Sequence, residues 1–176
     1  IGLKNGFVLD QYKFTVDEWQ SDSNLIIKKI IEKFKDNRIV IRSSCLEEDQ
    51  KDNSAAGKFE SQLSVECKEI YIKKAVSKVI KSYNKINIGK NQVLVQKFLY
   101  NVDLSGVAFS RAIENNGPYI SINISYKDTK QVTSGSNCQE YFIHRASTKF
   151  VKNKNLNKII QCLFEIENLL KYNLID

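Results

Sequence analysis

A mixed α/β (α+β) fold of two lobes around a central, mostly antiparallel sheet is what this sequence predicts, on two observations. Short runs of alternating or β-branched residues, punctuated by Asn, Asp, Gly and Pro, recur at 38–43, 61–65, 92–99, 104–110, 119–125 and 138–144. Between them, apolar residues return every three or four positions, the spacing of a helix with one buried face. Helices interleaved with strands, and hairpins in the middle, place one lobe at 1–91 and the second at 92–176.

The elements follow in order. Thr15-Val16-Asp17-Glu18 is a capping box, in which hydroxyl and carboxylate each satisfy an orphan backbone N–H, so a short helix begins at Val16. Ser23 or Asn24 caps a second helix whose apolar positions 26, 27, 30, 31 and 34 share a face. A helix over 68–83 turns Ile72, Ala75, Val76, Val79, Ile80 and Tyr83 inward. The strands at 92–99, 104–110 and 119–125 then read as one antiparallel sheet. Gly117-Pro118 and Ser134-Gly135 mark turns, and Leu156 to Tyr172 forms a long amphipathic helix.

Composition bounds the rest. The chain has 176 residues, enough for one domain or two small lobes with a real core. Its apolar runs are far shorter than the roughly 20 residues that cross a bilayer, so no membrane role is expected. The cysteines at 45, 67, 138 and 162 form no Cys-x-x-Cys pair, which favours buried thiols and a cytoplasmic setting. A net charge of +7 suits a polyanion, nucleotides included, but the lysines at 28, 29, 33, 73, 74, 78 and 81 read first as solvated helix faces. Nucleic acid is accordingly given little weight. No methionine occurs, even at position 1, and the chain reads as excised from something longer.

The stretch from Ile39 to Phe59 carries the chemistry. An apolar strand delivers Arg42, Ser43 and Ser44, and a small-residue loop, Ser54-Ala55-Ala56-Gly57, follows. A guanidinium at a buried strand end matches phosphate oxygens, and the loop leaves backbone N–H groups approachable by an anion. This segment resembles the N-terminal nucleotide-binding domain of the pyruvate phosphate dikinase and phosphoenolpyruvate synthase family. Arg42-Ser43-Ser44, Glu48-Asp49 and Ser54-Ala55-Ala56-Gly57 match its pattern in order. Val93-Leu94-Val95-Gln96 is similar to the family's Val-x-Val-Gln strand, and Ser105-Gly106-Val107-Ala108-Phe109-Ser110 to its Ser-Gly-Val-x-Phe-Thr strand.

The resemblance spans about residues 5 to 176 and implies an ATP-grasp-like fold, with ATP held between two lobes and Mg2+ bridging its phosphates. On that basis Arg42 is the expected catalytic residue, neutralising the transferring phosphoryl group; the competing reading of the same arginine is a salt bridge to Glu47, Glu48 or Asp49. ATP contacts are expected from Arg42, Ser43, Ser54, Ala56 and Gly57 on the phosphate side. Gln96, Lys97, Phe98 and Leu99 would form the adenine wall, and Ser105 and Gly106 a strand beside the nucleotide. The metal-binding carboxylate of the family's Asp-Ile-Glu stretch would follow Asp176, so no metal ligand is expected within the chain and weak ATP binding from it alone. The implied partners are a small acceptor and a phosphohistidine domain of the same protein.

His144, the only histidine, ends an apolar strand outside the glycine-rich setting of the family's carrier histidine and reads as structural. Lys127-Asp128-Thr129-Lys130 stands where the dikinase pattern has Gly-Leu-Gly-Glu, Phe109-Ser110-Arg111 lacks the usual Asn-Pro, and the family's early lysine is absent. The resemblance implies a small acceptor, pyruvate or an amino-acid amide such as L-glutamine; these departures are similar to the branch of surface-polysaccharide gene neighbourhoods that includes L-glutamine kinases and weaken the case for pyruvate. The competing readings are a basic module for RNA or another polyanion, with Tyr and Phe as stacking platforms, and a degenerate scaffold that binds no nucleotide.

Overall fold

The computed structural model describes residues 2–35, 37–44, 60–83, 88–126 and 138–170, and the chain divides into two compact units, Leu9–Leu99 and Ile1–Val8 with Tyr100–Asp176. Both are α+β, and both are built on an antiparallel sheet.

The Leu9–Leu99 unit contains strands β1 (Gln11–Thr15), β2 (Ile39–Ser44), β3 (Ser61–Val65) and β4 (Gln92–Lys97), and helices α1 (Val16–Ser21), α2 (Ser23–Phe34) and α3 (Glu69–Ser82). The strand order is β1-β4-β2-β3. Period-two alternation sends Phe14, Ile39, Ile41, Val93 and Val95 to one face. There they meet Ile26, Ile27, Ile30 and Phe34 of α2 and Ile72, Ala75, Val76 and Val79 of α3. Each such fully buried branched side chain contributes roughly 1.5–3 kcal/mol by leaving water. The expected capping box forms, with Glu18 N–H donating to Thr15 Oγ1 and Thr15 N–H to the Glu18 carboxylate. Asp22 caps α2 in place of Ser23 or Asn24, its Oδ1 accepting the Leu25 N–H at 2.9 Å. A carboxylate one residue upstream reaches the same orphan donor, and its charge suits the helix N-terminus.

The second unit contains β5 (Leu104–Phe109), β6 (Tyr119–Tyr126) and β7 (Gln139–His144) in that spatial order, and helix α4 (Lys154–Leu170). Ile120, Ile122 and Ile124 of the central strand pack under Leu156, Ile160 and Leu163 of α4. Here the sequence expectation is corrected. The strand at 92–97 does not join those at 104–109 and 119–126; it lies between β1 and β2, with Val95 beside both Tyr12 and Ile41. The division of the chain therefore falls after Leu99 rather than after Asn91.

An ion pair organises the second unit. Arg145 grips Glu167 of α4 with two parallel hydrogen bonds of 2.9 and 2.8 Å and donates a third to the Ser110 carbonyl. Its guanidinium also lies 4.6 Å from the centroid of the Phe164 ring. Burial opposes the Glu167 charge. Hydrogen bonds from Arg145 and Ser110, with the charges of Arg145 and Arg111, outweigh it and hold the carboxyl below its ordinary range. The N-terminal segment is tied to the same helix, because Glu165 accepts the backbone N–H groups of Lys4 and Asn5.

Candidate functional site

Alternation along β2 decides where Arg42 points. Ile39, Ile41 and Ser43 face the helices; Val40, Arg42 and Ser44 take the opposite face of the sheet. Arg42 is exposed rather than fixed in a buried strand end as expected, because that half of the alternation turns away from the core. In register it lies across from Leu94 of β4 and Ser61 of β3, and Leu94 in turn lies across from Lys13 of β1. One row thus reads Lys13, Leu94, Arg42, Ser61. With strands about 4.8 Å apart, the Lys13 and Arg42 backbones stand roughly 10 Å from each other across Leu94.

The other arginines are engaged. Arg38 donates to the Ser64 carbonyl at 2.7 Å and pairs with Glu66, Arg145 holds Glu167, and Arg111 donates to the Asn116 carbonyl. Among the described residues Arg42 has no ion pair and no side-chain hydrogen bond. Its row neighbour Lys13, exposed and likewise without an ion pair among the described residues, was not singled out from sequence. The signal was there: Lys13 sits between inward Tyr12 and Phe14. Its register with Leu94 is nonlocal and cannot be read locally.

The remaining expected residues are placed as follows. Ser43 is half-buried on the helix side, opposite Val93. Gln96 shares the Arg42 face, and its Nε2 donates to Gln11 Oε1 at 3.4 Å. Lys97 ends β4 opposite Ile39 and is exposed. Phe98 is half-buried and its N–H already donates to the Arg38 carbonyl at 2.8 Å, so that amide is committed to the chain itself; Leu99 is exposed. Ser54, Ala56 and Gly57, and with them Glu47, Glu48 and Asp49 of the competing salt-bridge reading, lie outside the described residues.

Ser105 and Gly106 belong to the second unit and are split between faces. Ser105 lies across from Ser125, whereas Gly106 shares the side of Leu104 and Ala108, which pack on the core. Gly106 has a structural explanation of its own. A Cβ there would collide with the Asn123 carbonyl oxygen and approach Ile124 Cγ2 to 2.8 Å.

His144 ends β7 with its Nδ1 accepting the Ala146 N–H at 3.3 Å, and its ring meets Tyr119 edge-on, centroids 5.0 Å apart. Cys67, Cys138 and Cys162 are half-buried, and among the described residues none of them forms a disulfide. Among the described residues no group of three or more His, Cys, Asp or Glu side chains could hold a metal ion, and no helix is long and apolar enough to cross a membrane. A groove of about 250 Å3 between β3 and α3, lined by Arg38, Ser64, Glu66, Tyr71, Lys74 and Lys78, does not include Arg42. Its carboxylate is already paired with Arg38 and Lys68.

No protein-family model matches this chain, and no curated protein matches it. The functional reading therefore rests on the residues themselves.

Proposed function

We propose that the chain is the ATP-binding part of a phosphotransferase of the phosphoenolpyruvate synthase type, with an ATP-grasp-like fold. In full it moves a phosphoryl group from ATP to a histidine of another domain, and from there to pyruvate or an amino-acid amide such as L-glutamine. One observation carries the reading: on the sheet face away from the helices, Arg42 of the Arg-Ser-Ser block stands exposed in one row with Lys13, without a carboxylate partner among the described residues. Arg38, Arg111 and Arg145, by contrast, each hold a partner.

Phosphoryl transfer asks little covalent help of a protein and much positioning and charge neutralisation. A planar guanidinium binds two phosphate oxygens at once, and Lys13, two strands away along the same row, brings an ammonium to the same face for another part of a triphosphate. Mg2+, bound with ATP, supplies further charge neutralisation between the phosphates. The mixed composition of each unit, helices against one face of an antiparallel sheet, is compatible with the lobes of an ATP-grasp. In this reading His144 is a strand-end cap, its Nδ1 occupied by the Ala146 N–H.

Calorimetric titration with MgATP and, separately, with a single-stranded oligonucleotide tests the proposal. Saturable MgATP heat at roughly 0.1–1 mM affinity, about −4 to −5.5 kcal/mol, is the expected result. Oligonucleotide binding that outcompetes MgATP and falls steeply with salt would replace it with the polyanion reading.

A further inference from the structure

We propose that Ser82 and Tyr83, at the C-terminal end of α3, are positioning residues for the end of β2 that carries Arg42. The inference rests on the reading of Arg42 as a phosphate ligand.

Tyr83 is 4% exposed and its ring belongs to the core under the sheet. Phenylalanine would fill such a place equally well, and a buried phenol needs a partner for its hydroxyl. That hydroxyl donates to the Gln92 carbonyl and accepts the Ser44 N–H at 3.4 Å. Gln92 and Ser44 are the final paired row of β2 and β4, two residues beyond Arg42 and on its face.

The residue before Tyr83 acts on the returning chain. Ser82 Oγ donates to the Val79 carbonyl at 2.7 Å and accepts the Glu60 N–H at 3.1 Å. Consecutive side chains at one helix end thus hold the backbone at Ser44, where β2 ends, and at Glu60, where β3 is about to begin. In an extended strand, twist freedom at Ser44 passes directly to Arg42. Tethering Ser44 to both a helix end and the neighbouring strand limits the orientations from which the guanidinium must be recruited.

The test measures amide hydrogen exchange and MgATP affinity on the whole chain in Tyr83→Phe, Ser82→Ala and Ser82→Thr. Tyr83→Phe is expected to speed exchange at Ser44, and Ser82→Ala at Glu60, while Ile41 and Val95 keep their wild-type rates. Each is expected to weaken MgATP binding about fivefold, the worth of one hydrogen bond. Ser82→Thr, which retains the hydroxyl, should restore both. Unchanged exchange at Ser44 and Glu60, acceleration spread equally to Ile41 and Val95, or unchanged affinity despite faster local exchange would each overturn the positioning role alone. Failure of the wild-type chain to bind MgATP would overturn the Arg42 reading and this role with it.

Discussion

Replacing Glu167 by Gln removes the charge that faces Arg145 and leaves a half-buried guanidinium without its counterion. The pair makes two hydrogen bonds of 2.8–2.9 Å, and the side chains are 10% and 23% exposed. Removing one member of such a pair costs about 3 kcal/mol, largely as the penalty on the partner left behind. For a chain of this size that lowers the melting temperature by roughly 10 °C. Arg145→Met should cost a similar amount, while Arg145→Met with Glu167→Leu should recover to within about 1 kcal/mol of wild type, because no uncompensated charge remains. Urea denaturation of wild type, Arg145→Met, Glu167→Leu and the double variant closes the cycle. The pH dependence has a fixed sign. Glu167 is held below its ordinary range in the fold, so its contribution is complete above the unfolded carboxyl value of about 4.3 and is lost as pH falls through the depressed folded value. Glu167→Gln should remove that part of the acid slope. Single variants that cost less than about 1 kcal/mol, or purely additive effects, would refute the assignment of this pair as the tie between α4 and the end of β5.

Other outcomes follow from the same geometry. Backbone hydrogen bonds from Lys4, then those from Asn5, hold the Glu165 carboxyl below its usual range against the opposing effect of burial, so the tie to the N-terminal segment is present at neutral pH and lost as acid protonates that carboxyl. The protection factors of the Lys4 and Asn5 amides, taken against the intrinsic exchange rate at each pH, should fall on acidification and be low at every pH in Glu165→Gln. Gly106→Ala should destabilise by about 1–3 kcal/mol, since the Asn123 carbonyl it meets is backbone and cannot swing aside; a denaturation midpoint equal to wild type would remove the packing explanation.

The elements themselves were legible because each declares its period locally. Ile26, Ile27, Ile30 and Phe34 announce the buried face of α2, and Ile39-Val40-Ile41 the strand β2. Pairing was not legible in the same way. Gln92–Lys97 has a pattern that suits either sheet, and only the nonlocal match of Val93 and Val95 to Phe14 and Ile41 commits it to the first. The same limit hid the Arg145–Glu167 pair, 22 residues apart, and the Lys13–Leu94–Arg42 row assembled from three separate strands. Arg42 was singled out by the Arg-Ser-Ser block of the resemblance, and its exposure follows from alternation: with Ile39 and Ile41 inward, residue 42 has to point out.

The most direct measurement is a titration of 15N-labelled chain with MgATP, following the side-chain Nε resonance of each arginine and the backbone amides. Arg42 Nε is expected to shift together with the amides of Lys13, Leu94 and Ser61, while Arg38 and Arg145 stay in place, and Arg42→Ala is expected to weaken binding at least tenfold, the worth of a charge-assisted hydrogen bond. Shifts centred on Arg38 or Arg145 with Arg42 unmoved, or full affinity in Arg42→Ala, would contradict the reading of Arg42 as a phosphate ligand.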